Sequence, residues 1–220
     1  MKTIVIAPHP DDEILGAGGT LLRRKSEGGS VAWLIGTEIS TAAGWSDEKV
    51  ARREREIERV RSLIGFDEVF QLGFPTTQLD RFPMGDIVAA ISKIFQTFQP
   101  NEVLVPHYSD VHTDHRVLFT AVASCTKWFR YPSVTRVLAY ETLSETDFSI
   151  GHEAVFRPNV FVDIAPYMEK KIEAIDIYTS ELGEFPFPRS HEAIRALAKV
   201  RGAASGFMAA EAFELLRERT

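Results

Sequence analysis

The chain has a single cysteine, Cys125, in 220 residues. That excludes an internal disulfide framework and any cysteine-rich metal site. Within the apolar stretch that ends on it, Cys125 reads as core packing and not as a nucleophile. Long apolar runs are missing as well. No segment approaches the about 20 residues of a membrane span, and none of signal-peptide length precedes the first acids, so a cytoplasmic location is expected. Nor is there an excess of positive charge. A formal net charge of -6 and the lack of a dominant basic stretch argue against a nucleic-acid or membrane-surface binder. Arg52, Arg53 and Arg55 cluster, but Glu54, Glu56 and Glu58 interleave with them as on a solvated, ion-paired helix face. Repeats, low-complexity tracts and domain-separating linkers are absent too. One domain over 1–220 is the expectation.

What is present is a regular alternation. Strand-like runs fall at 3–7, 31–36, 68–72, 102–106, 136–140 and 160–164. Helical patterns fall at 14–27, 47–64, 85–98, 115–126, 167–179 and 190–216, the last broken near Gly202 or Gly206. This βαβα rhythm predicts an α/β fold, a Rossmann-like three-layer sandwich with a mainly parallel sheet and helices on both faces. Right-handed crossovers then gather the strand-to-helix loops along one edge, at the carboxyl ends of the strands where ligands bind.

Two of those loops carry unusual chemistry. His9-Pro10-Asp11-Asp12-Glu13 follows the first apolar run directly, and burying consecutive carboxylates is expensive unless a cation offsets them. Pro106-His107-Tyr108-Ser109-Asp110-Val111-His112-Thr113-Asp114-His115 follows the fourth. Together the two loops hold four of the six histidines. A lone histidine after a strand is more often a hydrogen-bonded neighbour than a ligand; joint placement at one edge shifts the balance to a metal. Residues three apart share a helical face, pairing His9 with Asp12 and His112 with His115, which suits zinc or a similar divalent ion. Four protein ligands would make a closed, structural site, whereas three leave a position for water and hydrolysis. Adjacent side chains diverge, so of Asp11 and Asp12 one would ligate and the other face the water as a general base. Glu13 suits a helix-starting role.

Gly16-Ala17-Gly18-Gly19 does not read as a dinucleotide motif. It follows the acids instead of the strand, and those acids would repel a pyrophosphate. Close packing of a helix on the sheet accounts for it better. Trp45 could stack on a sugar, though a packed loop aromatic is the simpler account. His107 reads as a hydrogen-bonding neighbour, His152 and His191 as surface residues, and 185–189 as a rigid loop that walls a pocket or meets another subunit.

At these residues the chain resembles the LmbE-like (PIG-L) family of metal-dependent N-acetylglucosaminyl deacetylases. The family carries His-Pro-Asp-Asp-Glu after its first strand, here His9 to Glu13, and His-x-Asp-His later, here His112 to His115. Gly16 to Thr20, Arg53 with Glu56, the 156–164 segment and Arg201-Gly202 with Ala210 to Phe213 are similar as well. The resemblance implies His9, Asp12 and His115 as ligands of one divalent ion, most simply Zn2+. It implies Asp11 as general base, His112 as the group that stabilises the oxyanion, and Asp114 as the carboxylate that orients His112 and favours its charged form. Arg53 would lie at the mouth of the site, orienting an acid or touching substrate. Where the family places Asp-Gly before a leucine, this chain has Thr76-Thr77-Gln78-Leu79, so substrate preference is where it is expected to depart.

The implied activity is hydrolysis of an N-acetyl or other N-acyl group on an amino sugar or sugar conjugate, a small-molecule substrate, in a monomer or homo-oligomer. The rivals are a metal-dependent phosphoesterase, which usually needs more carboxylate ligands than these loops supply, and a metal-stabilised binding protein without turnover.

Overall fold

Ile4, Val5, Ile6 and Ala7 are all fully buried. Alternate side chains of this run enter two different cores: Val5 and Ala7 one, Ile4 and Ile6 the other. A strand covered on both faces is the mark of a central position in a parallel sheet. The computed structural model describes residues 1–150 and 155–220. In chain order the main elements are β1 (Lys2–Ala7), α1 (Asp12–Ser26), β2 (Ser30–Glu38), α2 (Asp47–Ile64), β3 (Glu68–Pro75), α3 (Met84–Phe98) and β4 (Glu102–Pro106). There follow α4 (Thr113–Ser124), β5 (Arg136–Tyr140), β6 (Val160–Asp163), α5 (Met168–Ile175), α6 (His191–Ser205) and β7 (Ala210–Glu218).

Among the described residues the sheet has seven strands in the order β3-β2-β1-β4-β5-β7-β6. Strands β1 to β5 pair in parallel, with Lys2 opposite Ser30 on one side of β1 and Thr3 opposite Glu102 on the other. One core packs α1, α2, α5 and α6 residues such as Leu21, Val60, Ile172 and Ile194 against Trp33 and Tyr140. The other packs Ile87, Ile91 and Phe95 of α3 and Leu118 and Val122 of α4 against Leu34 and Val103. No helix among the described residues is long and apolar enough to cross a membrane. Cys125 is buried in the second core, as a packing residue would be.

The helix expected over 190–216 is corrected. Helix α6 ends at Ser205 and is capped by Gly206 at φ 81°. Ala210 to Glu218 then form β7, antiparallel to both β5 and β6. Ala, Glu and Leu favour helix locally, but pairing between two strands and burial of Phe213 override that propensity. Glu211 is buried in this strand, where Lys171 Nζ lies 2.7 Å away and the Gly19 and Thr20 amides donate to its carboxylate at 2.8 and 2.7 Å.

The glycines of α1 do what close packing requires. A Cβ on Gly16 would lie 2.1 Å from the Tyr140 ring, and one on Gly19 2.6 Å from Ile164. Tyr140 cannot retreat, because it is fully buried and its hydroxyl donates to the Ile6 carbonyl at 2.7 Å. Gly16→Ala is therefore expected to destabilise by about 1–3 kcal/mol in chemical denaturation, although alanine is the better helix former. Gly85→Ala, in the first turn of α3 with nothing within 4 Å, is expected to leave stability equal or slightly raised.

Candidate active site

Strands β1 and β4 are neighbours, so the loops that leave their carboxyl ends open side by side. The first turns sharply into α1 at Asp11, whose φ of 139° is unusual for a residue with a side chain. The second leads into α4, where the ring of His112 caps the helix: its Nδ1 accepts the main-chain N–H of Asp114 at 3.1 Å. In the neutral ring the remaining proton is then on Nε2.

Three histidines gather between the two loops. The ring centres of His9 and His112 are 4.5 Å apart, those of His9 and His115 5.4 Å, and those of His112 and His115 5.5 Å. His9, Asp12 and His115 each offer a ligand atom within 4.8 Å of the others, an arrangement that could hold a metal ion; His9, His112 and Asp114 form a second such group around the same His9. The first group passes a further test. His115 is fully buried and its Nδ1 lies 2.8 Å from Asp110 Oδ2, yet its Nε2 has no hydrogen-bond partner, although Asp12 Oδ2 is only 3.3 Å away. Buried ring nitrogens are rarely left unpaired, and an orphaned one aimed at a carboxylate beside another imidazole suits a cation between them.

The electrostatics agree. Burial lowers the pKa of His9, but the Asp114 and Asp12 carboxylates push it up to about 9. Burial likewise opposes charge on His115, and Asp12 with Asp110 raise it well above the usual imidazole range. Asp12 stays well below the usual carboxylate range despite its burial, held there by His115 and His9. The carboxylates thus draw positive charge onto this spot. Asp11 behaves differently: burial and the charge of Asp12 push it up to about 7, restrained by Arg189. Glu13, fully buried, goes up to about 8.

Several expectations meet the geometry unevenly. His9, Asp11, Asp12, His112 and Asp114 come together with His115, as the two-loop argument requires. The role expected of Asp114 is corrected. Its carboxylate, although near His112, makes no hydrogen bond to that ring; it lies 3.1 Å from His9 Nε2 and accepts the Thr77 and Leu79 amides at 2.7 and 3.1 Å. His112 is not favoured in its charged form either, since burial and the nearby His9 and His115 push it down to about 4. Glu13 lies in the first turn of α1, as a helix-starting role requires, and accepts the amide of the N-cap residue Asp11 at 3.0 Å and the Tyr178 hydroxyl at 2.8 Å. Arg53 donates to the Pro10 carbonyl at 2.8 Å and to Glu181 at 2.6 Å, on the rim of the site.

These groups open into a cavity of about 300 Å³ whose walls include Trp45, Arg53, Thr76, Thr77, Glu181 and Arg189. Trp45 thus stands at the cavity and not in a packed loop core, with 38% of its surface exposed. The 185–189 loop reaches the cavity through Arg189, whose Nη1 donates to Asp11 at 2.7 Å. Arg189 and Glu181 carried no local signal, being joined to Asp11 and Arg53 only by the fold. Asp110 was within reach, five residues before His115 in the same histidine-rich loop. His107 is a neighbour, bonded to Ser109 and Glu214. His191 pairs with Asp176 near the surface, and His152 lies outside the described residues.

Relatives share this arrangement of chain. Diacetylchitobiose deacetylase of Thermococcus kodakarensis is 29% identical over 96% of this chain and 81% of its own. A probable N-acetyl-alpha-D-glucosaminyl L-malate deacetylase 2 of Bacillus anthracis is 27% identical over 81% of this chain and 80% of its own. In fold, the N,N'-diacetylchitobiose deacetylase of Pyrococcus horikoshii superposes with a TM-score of 0.76 at 24% identity, over 98% of this chain and 84% of that one. Residues 4–126, which hold both histidine loops, match the family described as PIG-L, GlcNAc-PI de-N-acetylase, and the chain belongs to that family.

Proposed function

We propose that the protein is a divalent-metal hydrolase, most simply a zinc enzyme, that removes an N-acetyl group from an amino sugar or sugar conjugate. The observation that carries this reading is the convergence of His9, Asp12 and His115 around an unpartnered buried nitrogen, next to Asp11 and at the floor of an open cavity. In this reading His9, Asp12 and His115 hold the ion. Bound there, it would polarise the amide carbonyl and bring the pKa of a water toward ~7.

The remaining roles belong to side chains. Asp11 takes the proton of the attacking water; Arg189 holds one of its carboxylate oxygens, which fixes the direction of the other. His112 donates from Nε2 to the developing oxyanion, its ring set by the Asp114 amide. Loss of one such donor typically costs ~10²–10³ in rate. The proton then passes to the departing amine from Asp11 or His112. Asp110 keeps His115 in the tautomer that presents Nε2, and Asp114, on Nε2 of His9, leaves that ring's Nδ1 toward Asp12 while tying down the Thr76–Leu79 turn. The strand order β3-β2-β1-β4-β5 supports describing the fold as Rossmann-like. We take the whole chain to act as one domain, in the cytoplasm.

Asp11→Asn is expected to keep one metal per chain while kcat for acetate release falls roughly 10²–10⁴-fold; turnover at the parent rate would remove Asp11 from the role of base. His115→Ala is expected to lose both the metal, read by elemental analysis after dialysis, and activity. Asp110→Asn is expected to retain the fold by circular dichroism but weaken metal affinity about 10–100-fold in competition with a chelator.

A further inference from the structure

We propose that the cavity selects substrate by charge, admitting an uncharged or amine-bearing N-acyl sugar and turning away one that carries a phosphate or carboxylate. The proposal rests on the hydrolase assignment and names the substrate class for the same site. Its basis is the state of the two arginines that line the cavity. Arg53 is committed to Glu181 at 2.6 Å, the Pro10 carbonyl at 2.8 Å and Glu56 at 3.3 Å. Arg189 commits Nη1 to Asp11 at 2.7 Å, with Glu181 3.5 Å from the same nitrogen, while its Nε, without a hydrogen-bond partner, is buried away from solvent. Recognition of an anion by arginine relies on a free guanidinium fork. Here a phosphate would have to displace a carboxylate of the site itself, Asp11 included.

Among the described residues, no lysine lines the cavity. Lys49 is near, with its ammonium 5.2 Å from the Trp45 ring centre, but outside that lining. Carboxylates, in contrast, are in surplus. Glu38, Glu54 and Glu145 line the cavity, and among the described residues none of them is ion-paired. Glu145 Oε2 is buried without a hydrogen-bond partner. A sugar hydroxyl or ammonium can donate to such an oxygen, whereas a second anion beside it is repelled. Ile39, Trp45 and Ile57 give the same cavity an apolar wall, the surface against which the C–H face of a sugar ring packs. A hydroxyl-rich, uncharged ring satisfies both kinds of wall at once.

The test compares kcat/KM for acetate release by the zinc-loaded protein at low ionic strength. The substrates are N,N'-diacetylchitobiose, its mono-deacetylated amine form, N-acetylglucosamine 6-phosphate and uridine-diphosphate-linked N-acetylglucosamine. The first two are expected to exceed the two phosphates by about tenfold or more, with the gap closing as salt is added. In Glu38→Gln/Glu145→Gln the ratio of neutral to phosphate-bearing substrate is expected to fall about fivefold. A phosphate-bearing sugar turned over as well as the neutral one at low salt would overturn the proposal. A second measurement needs no turnover: titration of the wild-type protein with the amines glucosamine and glucosamine 6-phosphate. Tighter binding of glucosamine supports charge selection, and equal or tighter binding of the phosphate defeats it. If no N-acyl sugar releases acetate, the hydrolase assignment fails, and the titration still decides the charge preference.

Discussion

Three consecutive carboxylates, Asp11, Asp12 and Glu13, are buried at the carboxyl end of the central strand, each less than 5% exposed. Ionised carboxylates removed from water are costly unless each finds compensation. Much of the structure around β1 can be understood as that compensation, and each acid receives a different one. Glu13 is met by a hydroxyl and a main-chain amide, and burial keeps it on the neutral side. Asp12 is met by two imidazoles from two loops. Asp11 is met by a guanidinium from the far end of the chain.

That division of partners is what separates one acidic run into different chemical tools. A carboxylate flanked by imidazoles keeps its charge and can share a cation with them. A carboxylate beside it, raised by burial and by that same charge, is better placed to exchange a proton. Asp11, at a φ of 139°, and Asp12 reach different partners although they are adjacent. Backbone strain of this kind persists where the surrounding packing holds it, and here α1 is seated against Tyr140 and Ile164 through glycines that leave no room to shift.

The walls follow from the same logic at longer range. The Thr76–Leu79 turn is held by its amides on Asp114, so the loop where substrate preference is expected to differ is fastened directly to the histidine cluster. On the opposite flank, Glu181 joins Arg53 and Arg189 into one chain of ion pairs reaching from α2 to Asp11. Partly buried pairs of this sort contribute little net stability but fix direction. They also pair both arginines of the cavity with its own carboxylates.

The sequence by itself determined the central features. The two-sided burial of β1, the alternation of strands and helices, and the two loops of His9 to Glu13 and His112 to His115 are all local patterns, set by side-chain periodicity and by residue types that need a cation nearby. Because crossovers in such sheets have one hand, it also followed that those loops meet at one edge. Three things only the tertiary structure decided. The 210–218 segment became a strand because β5 and β6 offered it partners, against its own helical preference. Asp114 turned to His9 and left His112 to be held by a main-chain amide, an outcome of helix capping geometry that spacing does not encode. And Asp11 acquired Arg189 from 178 residues away, a pairing that no local pattern could announce, because an ion pair depends on where the fold brings two charges and not on what surrounds either one in the chain.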